Sequence, residues 1–198
     1  MHALLERIHQ AWNRGEVATA LFLDVTEAFD NVSHLRLLQN LRKRRIPTSY
    51  VNFLGSFVSD RRTELRLPEC TLDWEIKTGI PQGSSLSPTL YLFYNADLLK
   101  TLTTEAIWAA GYIDDVVFLA TGESAEKKCK ALEEAHATAR IWAGRHASVF
   151  SPPKYQLIHF THSHKQPIIA SLRVPGEEDV KPLDTARYLR VLFDTHLT

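Results

Sequence analysis

Apolar side chains recur along this chain in two periods, and the places where the period changes divide it into elements. Leu4, Leu5, Ile8, Ala11 and Trp12 form one stripe of a helix. Val17 to Val25 is a short apolar run that ends in a carboxylate, which reads as a buried strand with Asp24 near its C-terminal end. Helical spacing returns at Leu35, Leu38 and Leu41, closed by Arg42-Lys43-Arg44-Arg45 and then Pro47. A second helix carries Tyr50, Val51, Phe53, Leu54 and Phe57. Residues 63–67 and 74–77 alternate on either side of a turn, as a hairpin does. A turn-rich loop, Gly79 to Pro88, feeds an apolar helix through Leu90, Leu92, Phe93, Leu98 and Leu99.

Ile107 to Ala120 is apolar on both sides of a polar centre, Tyr112-Ile113-Asp114-Asp115, and predicts a tighter hairpin. Positions 125, 129, 132, 135, 139 and 142 follow a helical period. Strands are expected at Gln156–Phe160, Ile168–Val174 and Tyr188–Phe193. There is no internal repeat and no linker long enough to mark a second independent domain.

Composition narrows the class. The chain has 198 residues, 44% hydrophobic and 23% charged, which excludes collagen-like, low-complexity and wholly disordered chains. Lys+Arg and Asp+Glu are 23 each, so any grip on nucleic acid must come from a local patch or a missing partner. Two cysteines, Cys70 and Cys129, are too few and too far apart for a disulfide scaffold or zinc ribbon, which makes a reducing compartment the default. Glu6 interrupts the apolar run a secretion signal would need, and no stretch approaches the ~18 apolar residues of a membrane span. Asn31-Val32-Ser33 has the form of a glycosylation sequon, but Ser33 reads better as the cap of the helix that opens at His34.

Three carboxylates carry the chemistry. An aspartate ending a buried strand is costly unless it is exposed, hydrogen-bonded or bound to a metal. Asp114-Asp115 sits between flanks too apolar for a casual surface loop, and a tight turn can bring both carboxylates to one site. If Asp24 lies on the adjacent strand, each pair repels by about 4 kcal/mol at ~4 Å and an effective dielectric of roughly 20. Shared protons or hard divalent cations would relieve this, and all-oxygen ligation suits Mg²⁺. A plain Asp-Asp surface turn is the competing reading, and pattern alone leaves the two open.

Tyr112-Ile113-Asp114-Asp115 resembles the Tyr-x-Asp-Asp box of reverse transcriptases. Leu23-Asp24-Val25-Thr26-Glu27-Ala28-Phe29-Asp30-Asn31-Val32 is similar to the first palm motif of reverse transcriptases from non-LTR (LINE-like, Jockey/Tad-type) retrotransposons. Gly79-Ile80-Pro81-Gln82-Gly83-Ser84-Ser85-Leu86-Ser87-Pro88 resembles their Pro-Gln-Gly motif. Order and spacing agree for all three, and the likeness runs from about residue 1 to 194.

The resemblance implies an α+β fold: a right-hand polymerase palm, an antiparallel sheet backed by helices, over residues 1–34 and 79–194. Part of the fingers would occupy 35–78, with the thumb missing from this single domain fragment of 1–198. It implies RNA-directed DNA synthesis under two Mg²⁺ ions, with Mn²⁺ as substitute. Asp24, Asp114 and Asp115 would bind the metals, and Lys154 would act as general acid. Val25, Phe29, Gln82, Gly83 and Tyr112 would border the nucleotide, Phe29 against the sugar C2′ position. Core packing alone is the plain alternative for Phe29. Tyr188-Leu189-Arg190-Val191 resembles the primer grip through Tyr188 and Leu189, but has Arg190 where the family usually carries Gly. Pro152-Pro153 could displace Lys154. An RNA template, a DNA primer and a dNTP are the implied partners, with no membrane. Fingers and thumb segments are expected to flank this chain in a full-length element and to carry the basic surfaces it lacks.

Eight Lys/Arg between Arg36 and Arg66, among them Arg42, Lys43, Arg44, Arg45, Arg61 and Arg62, face only Asp60 and Glu64. They could track a phosphate backbone. A solvated helix end, whose dipole favours cations, explains them equally well. His159, His162 and His164 raise a zinc reading, but without a nearby cysteine it stays minor. Two other functions stand against the polymerase: a catalytically silent palm remnant with at most weak nucleic-acid binding, and a metal-dependent nuclease, which explains neither Gln82-Gly83 nor Phe29. The expected location is intracellular, in nucleus or cytoplasm, with the mitochondrion not excluded.

Overall fold

A computed structural model describes residues 1–163 and 168–198. Helix α1 (His2–Asn13) is followed by β1 (Val17–Thr26), then α2 (His34–Lys43), α3 (Thr48–Val58), β2 (Arg61–Arg66) and β3 (Thr71–Ile76). Next come α4 (Ser87–Leu102), β4 (Trp108–Tyr112), β5 (Asp115–Gly122) and α5 (Ala125–Arg145). The chain closes with β6 (Val149–Phe150), a 3-10 turn (Pro152–Lys154), β7 (Gln156–Phe160), β8 (Thr185–Tyr188) and β9 (Val191–Asp194). Among the described residues no helix is long and apolar enough to cross a membrane. Chain contacts divide the molecule into two compact units.

The first unit comprises Met1–Thr26, Asp97–Ala143 and Val149–Thr198. It holds a five-stranded antiparallel sheet with β1 at its centre: β5 and then β4 on one side, β7 and β6 on the other. Because β1 is flanked on both edges and buried on both faces, its sequence is a continuous apolar run rather than an alternation. Ala18, Ala20 and Phe22 point to one face, level with Val117 and Leu119 of β5 and with Ile158 and Phe160 of β7. On that face they share a core with Leu4, Ile8 and Ala11 of α1 and with Ala186, Tyr188 and Phe193 of β8 and β9.

Two strand expectations need correction here. Residues 168–174 do not form a strand; the described part of this region makes a single antiparallel bridge, Leu172 to Val180. Pro175 has no N–H, and Gly176 turns the chain at φ 87°, so pairing cannot continue between them. The strand expected over 188–193 is a hairpin instead, broken at Leu189 and Arg190, whose φ values are 49° and 65°.

The second unit comprises Glu27–Ala96 and Gly144–Ser148. Within it the loop before α4 is bonded to the segment after Thr26. Gly79 N–H donates to the Val32 carbonyl at 2.8 Å and Ile80 N–H to that of Phe29 at 2.9 Å. Ser33 caps α2, accepting from the Arg36 N–H, as its place in the sequence predicted. Beneath it Asn40, buried in α2, donates to the Tyr94 carbonyl at 3.1 Å.

Candidate active site

In the first unit, the apolar rows of β1 and β5 run out to a pair of acids. Asp24 stands directly opposite Asp115 in register, just as Phe22 stands opposite Val117 and Ala20 opposite Leu119. Directly opposed residues share a face, so both carboxylates leave the sheet on the side of Phe22 and Tyr188. Both are half-buried. Asp114 occupies the two-residue turn between β4 and β5, where Ile113 takes φ 56°, and its carbonyl accepts the Val25 N–H at 3.0 Å.

Asp115 has its carboxyl pushed above the ordinary range, first by burial, then by the charges of Asp114 and Asp24. Lys154 answers that charge. Its ammonium donates to Asp24 Oδ2 at 2.9 Å, and it is held above the usual lysine range by that hydrogen bond first and by the charges of Asp24 and Asp114. Pro152-Pro153 does not displace Lys154 from Asp24. The two prolines start a 3-10 turn, in which Lys154 N–H bonds the Ser151 carbonyl and Ser151 N–H bonds that of Asp24.

A cavity of about 760 Å³ opens beside these groups, lined by Asp24, Asp115, Lys154, Gln156, Arg187 and Tyr188 among others. Tyr188 is buried and stacked on Phe22 with ring centroids 4.9 Å apart; burial and then the Asp115 charge push its hydroxyl up to about 12. Leu189 is half-buried against the same core, and Arg190 is exposed at the hairpin tip. Gln156 clamps this hairpin from β7, donating to the Arg187 carbonyl at 3.2 Å and accepting the Arg187 N–H at 2.8 Å. Neither Gln156 nor Arg187 stood out in the sequence. The signal was there only as the alternation of β7, which puts Gln156 level with Phe22.

The donor set fits a hard divalent cation. It is oxygen-only, two of its members share a register position, and their mutual repulsion is what a cation would relieve. Among the described residues no three such groups already close round one point. Asp24 Oδ2 is engaged by Lys154 instead.

The remaining expected site residues are placed as follows. Val25 is buried. Tyr112 is exposed, opposite Asp115 in register. In the second unit, Phe29 is half-buried and lies against Tyr91 with centroids 5.7 Å apart. The exposed Gln82 amide donates to both carboxylate oxygens of Asp30, at 3.0 and 2.9 Å, a pairing with no local signal in the sequence. Gly83 adopts φ 84°. Of the basic residues, Arg42, Lys43, Arg45 and Arg62 are exposed, and Arg44 is half-buried at the end of α2. Arg61 donates to the Gly79 carbonyl at 3.1 Å, and Arg66 is paired with Glu64. His159 is buried with both ring nitrogens engaged, by Thr19 and the Ala170 carbonyl, while exposed His162 meets the edge of Trp12. His164 lies outside the described residues.

Comparison with known proteins decides the family. The sequence profile described as reverse transcriptase (RNA-dependent DNA polymerase) matches residues 1–189. The chain belongs to the reverse transcriptase family. Its relatives include the probable RNA-directed DNA polymerase from transposon BS of Drosophila melanogaster, 29% identical over 204 residues, all of this chain and 22% of that protein. The RNA-directed DNA polymerase from mobile element jockey of Drosophila funebris is 27% identical over all of this chain and 22% of its own length. This reverse transcriptase chain therefore spans about a fifth of the curated relatives it matches. Its fold is similar to that of apo telomerase from Candida tropicalis truncated from its C-terminal domain, with a TM-score of 0.66 at 13% identity, covering 98% of this chain and 38% of that one. Telomerase from Candida albicans gives a TM-score of 0.62 over 91% of this chain and 32% of its own, at 13% identity. The expected α+β polymerase fold is thereby borne out.

Proposed function

We propose that this chain is the catalytic part of a longer, retrotransposon-encoded polymerase that copies RNA into DNA. The observation that carries the reading is Asp24 opposite Asp115 in register, with Lys154 on Asp24. Asp24, Asp115 and Asp114 would hold two Mg²⁺, or Mn²⁺ in their place, which supply Lewis-acid stabilisation of the phosphoryl oxygens. The chain's own residues do the rest. Asp24 and Asp115 fix the charge at the end of a rigid central strand pair. Lys154 holds a proton within reach of a departing pyrophosphate. Tyr188 and Leu189, at the rim of the same cavity, would guide a primer end. Phe29 would exclude a ribose 2′-hydroxyl, and the backbone at Gly83 would lie close to the nucleotide. Arg42, Lys43, Arg45 and Arg62 would meet template phosphates, a contact weakened by salt.

The test is primer extension on an RNA template, with the flanking segments found in the relatives restored to this chain. Extension that Asp115→Asn abolishes supports the reading. A restored protein that binds its duplex normally and stays inert would make the chain a silent palm.

A further inference from the structure

We propose that His136 and Tyr155 are a positioning pair that sets Lys154 on Asp24. Lys154 is an exposed side chain in a short loop, a setting in which a lysine ordinarily samples many rotamers. Here the loop is held from within. His136, 1% exposed on α5, shares a hydrogen bond between Nε2 and the Tyr155 hydroxyl at 2.8 Å, and their rings meet edge to face at 5.3 Å. The same imidazole lies 6.5 Å from the Phe150 ring.

His136 thus touches both ends of the segment 150–155. Phe150 is paired with Val25, and Tyr155 N–H bonds the Pro152 carbonyl to close the turn whose last residue is Lys154. A buried polar pair is costly unless its members satisfy each other, so each holds the other in one place. Burial lowers the imidazole pKa to about 4, and the 2.8 Å contact accommodates Nε2 as donor or acceptor to the hydroxyl. Gln156, the next residue, is anchored in β7 and clamps Arg187, so the rigid anchor continues past Tyr155. Between these fixtures Lys154 has only its own side chain left to order.

The pair acts through Lys154, so its consequence for catalysis rests on the function proposed above, but its effect on Lys154 does not. The test is therefore made on the 198-residue chain, by amine labelling with N-hydroxysuccinimide acetate and mass spectrometry of each lysine. Lys100 and Lys181, both exposed, serve as references. In the wild type Lys154 should label more slowly than either. Tyr155→Phe, which keeps the ring and removes one hydroxyl, should raise its labelling about threefold to tenfold, the range set by one hydrogen bond. His136→Leu should do the same, the double variant no more than either, and His136→Gln, which keeps an amide where Nε2 stands, should restore most of the protection. If Lys154 labels at the wild-type rate in a folded Tyr155→Phe chain, the proposal is overturned, whatever primer extension shows. Should His136→Leu not fold, Tyr155→Phe with His136→Gln decides alone.

Discussion

Asp24 and Asp115 face each other across adjacent antiparallel strands, with Lys154 bonded to the first and, among the described residues, no such cation on the second. Burial first, and then the charges of Asp114 and Asp24, push the Asp115 carboxyl above its ordinary range, so its charge is unfavourable where it sits. Residual stability should be gained by removing that charge. Asp115→Asn should raise the Tm of the chain in EDTA by about 2 °C, since relieved repulsion at a partly exposed site is worth about 1 kcal/mol or less. Differential scanning calorimetry checks this; a lower Tm would mean that Asp115 is held by favourable contacts.

Gly79 is a second place where geometry leaves no choice. It adopts φ 83°, and a Cβ there would stand 2.8 Å from the Asp30 carbonyl oxygen. Gly79→Ala should cost about 1–3 kcal/mol and loosen the Gln82 loop from Asp30. Urea unfolding would give the first, and faster amide exchange at Gly79 and Ile80 the second.

Acid should weaken the fold through His136. Burial, and secondarily Arg140, lower its pKa from 6.5 to about 4. Between those values the unfolded chain binds a proton that the folded chain refuses. Its contribution is thus whole above about pH 6.5 and lost as pH falls toward 4, up to about 3 kcal/mol in all. His159, lowered by its own burial, acts in the same direction. Urea midpoints between pH 7.5 and pH 4.5 should fall in the wild type and fall less in His136→Gln.

The hairpin tip is strained by its residues. Leu189 and Arg190 both sit at positive φ, a conformation that Gly takes without penalty. Arg190→Gly, the residue the family usually carries there, should stabilise the chain by a net ~0.5–1 kcal/mol, or about 2 °C in Tm. A lower Tm would show that the Arg190 side chain makes contacts that outweigh the strain.

What could be read from the sequence follows from where the signals lie. The buried run of β1, the helical spacings of α1, α2, α3 and α5, and the two early hairpins are local patterns, so they were visible. Asp24 and Asp115 could be named as site residues, although their register could not, because it is fixed by pairing over ninety residues of chain. The split at Leu189–Arg190 was hidden because neither residue is a turn former. Residues 168–174 are apolar enough for a strand, yet Pro175 and Gly176 leave room for only one bridge. His136 escaped notice because it occupies a core position of α5 beside Ala135, where a histidine reads as one more buried side chain. Lys154 was legible only by resemblance, and what places it, the turn begun by Pro152-Pro153, looked from the sequence like an obstacle.

Paramagnetic broadening by Mn²⁺ in the 198-residue chain, with and without a dNTP, probes the carboxylate site most directly. The amide signals of Val25, Asp114, Asp115 and Val116 should broaden first, and Asp24→Asn with Asp115→Asn should remove the effect while leaving the remaining spectrum unchanged. Broadening centred elsewhere, such as on Glu177, Glu178 and Asp179, or none at these four residues at millimolar Mn²⁺, would contradict a cation site at these carboxylates.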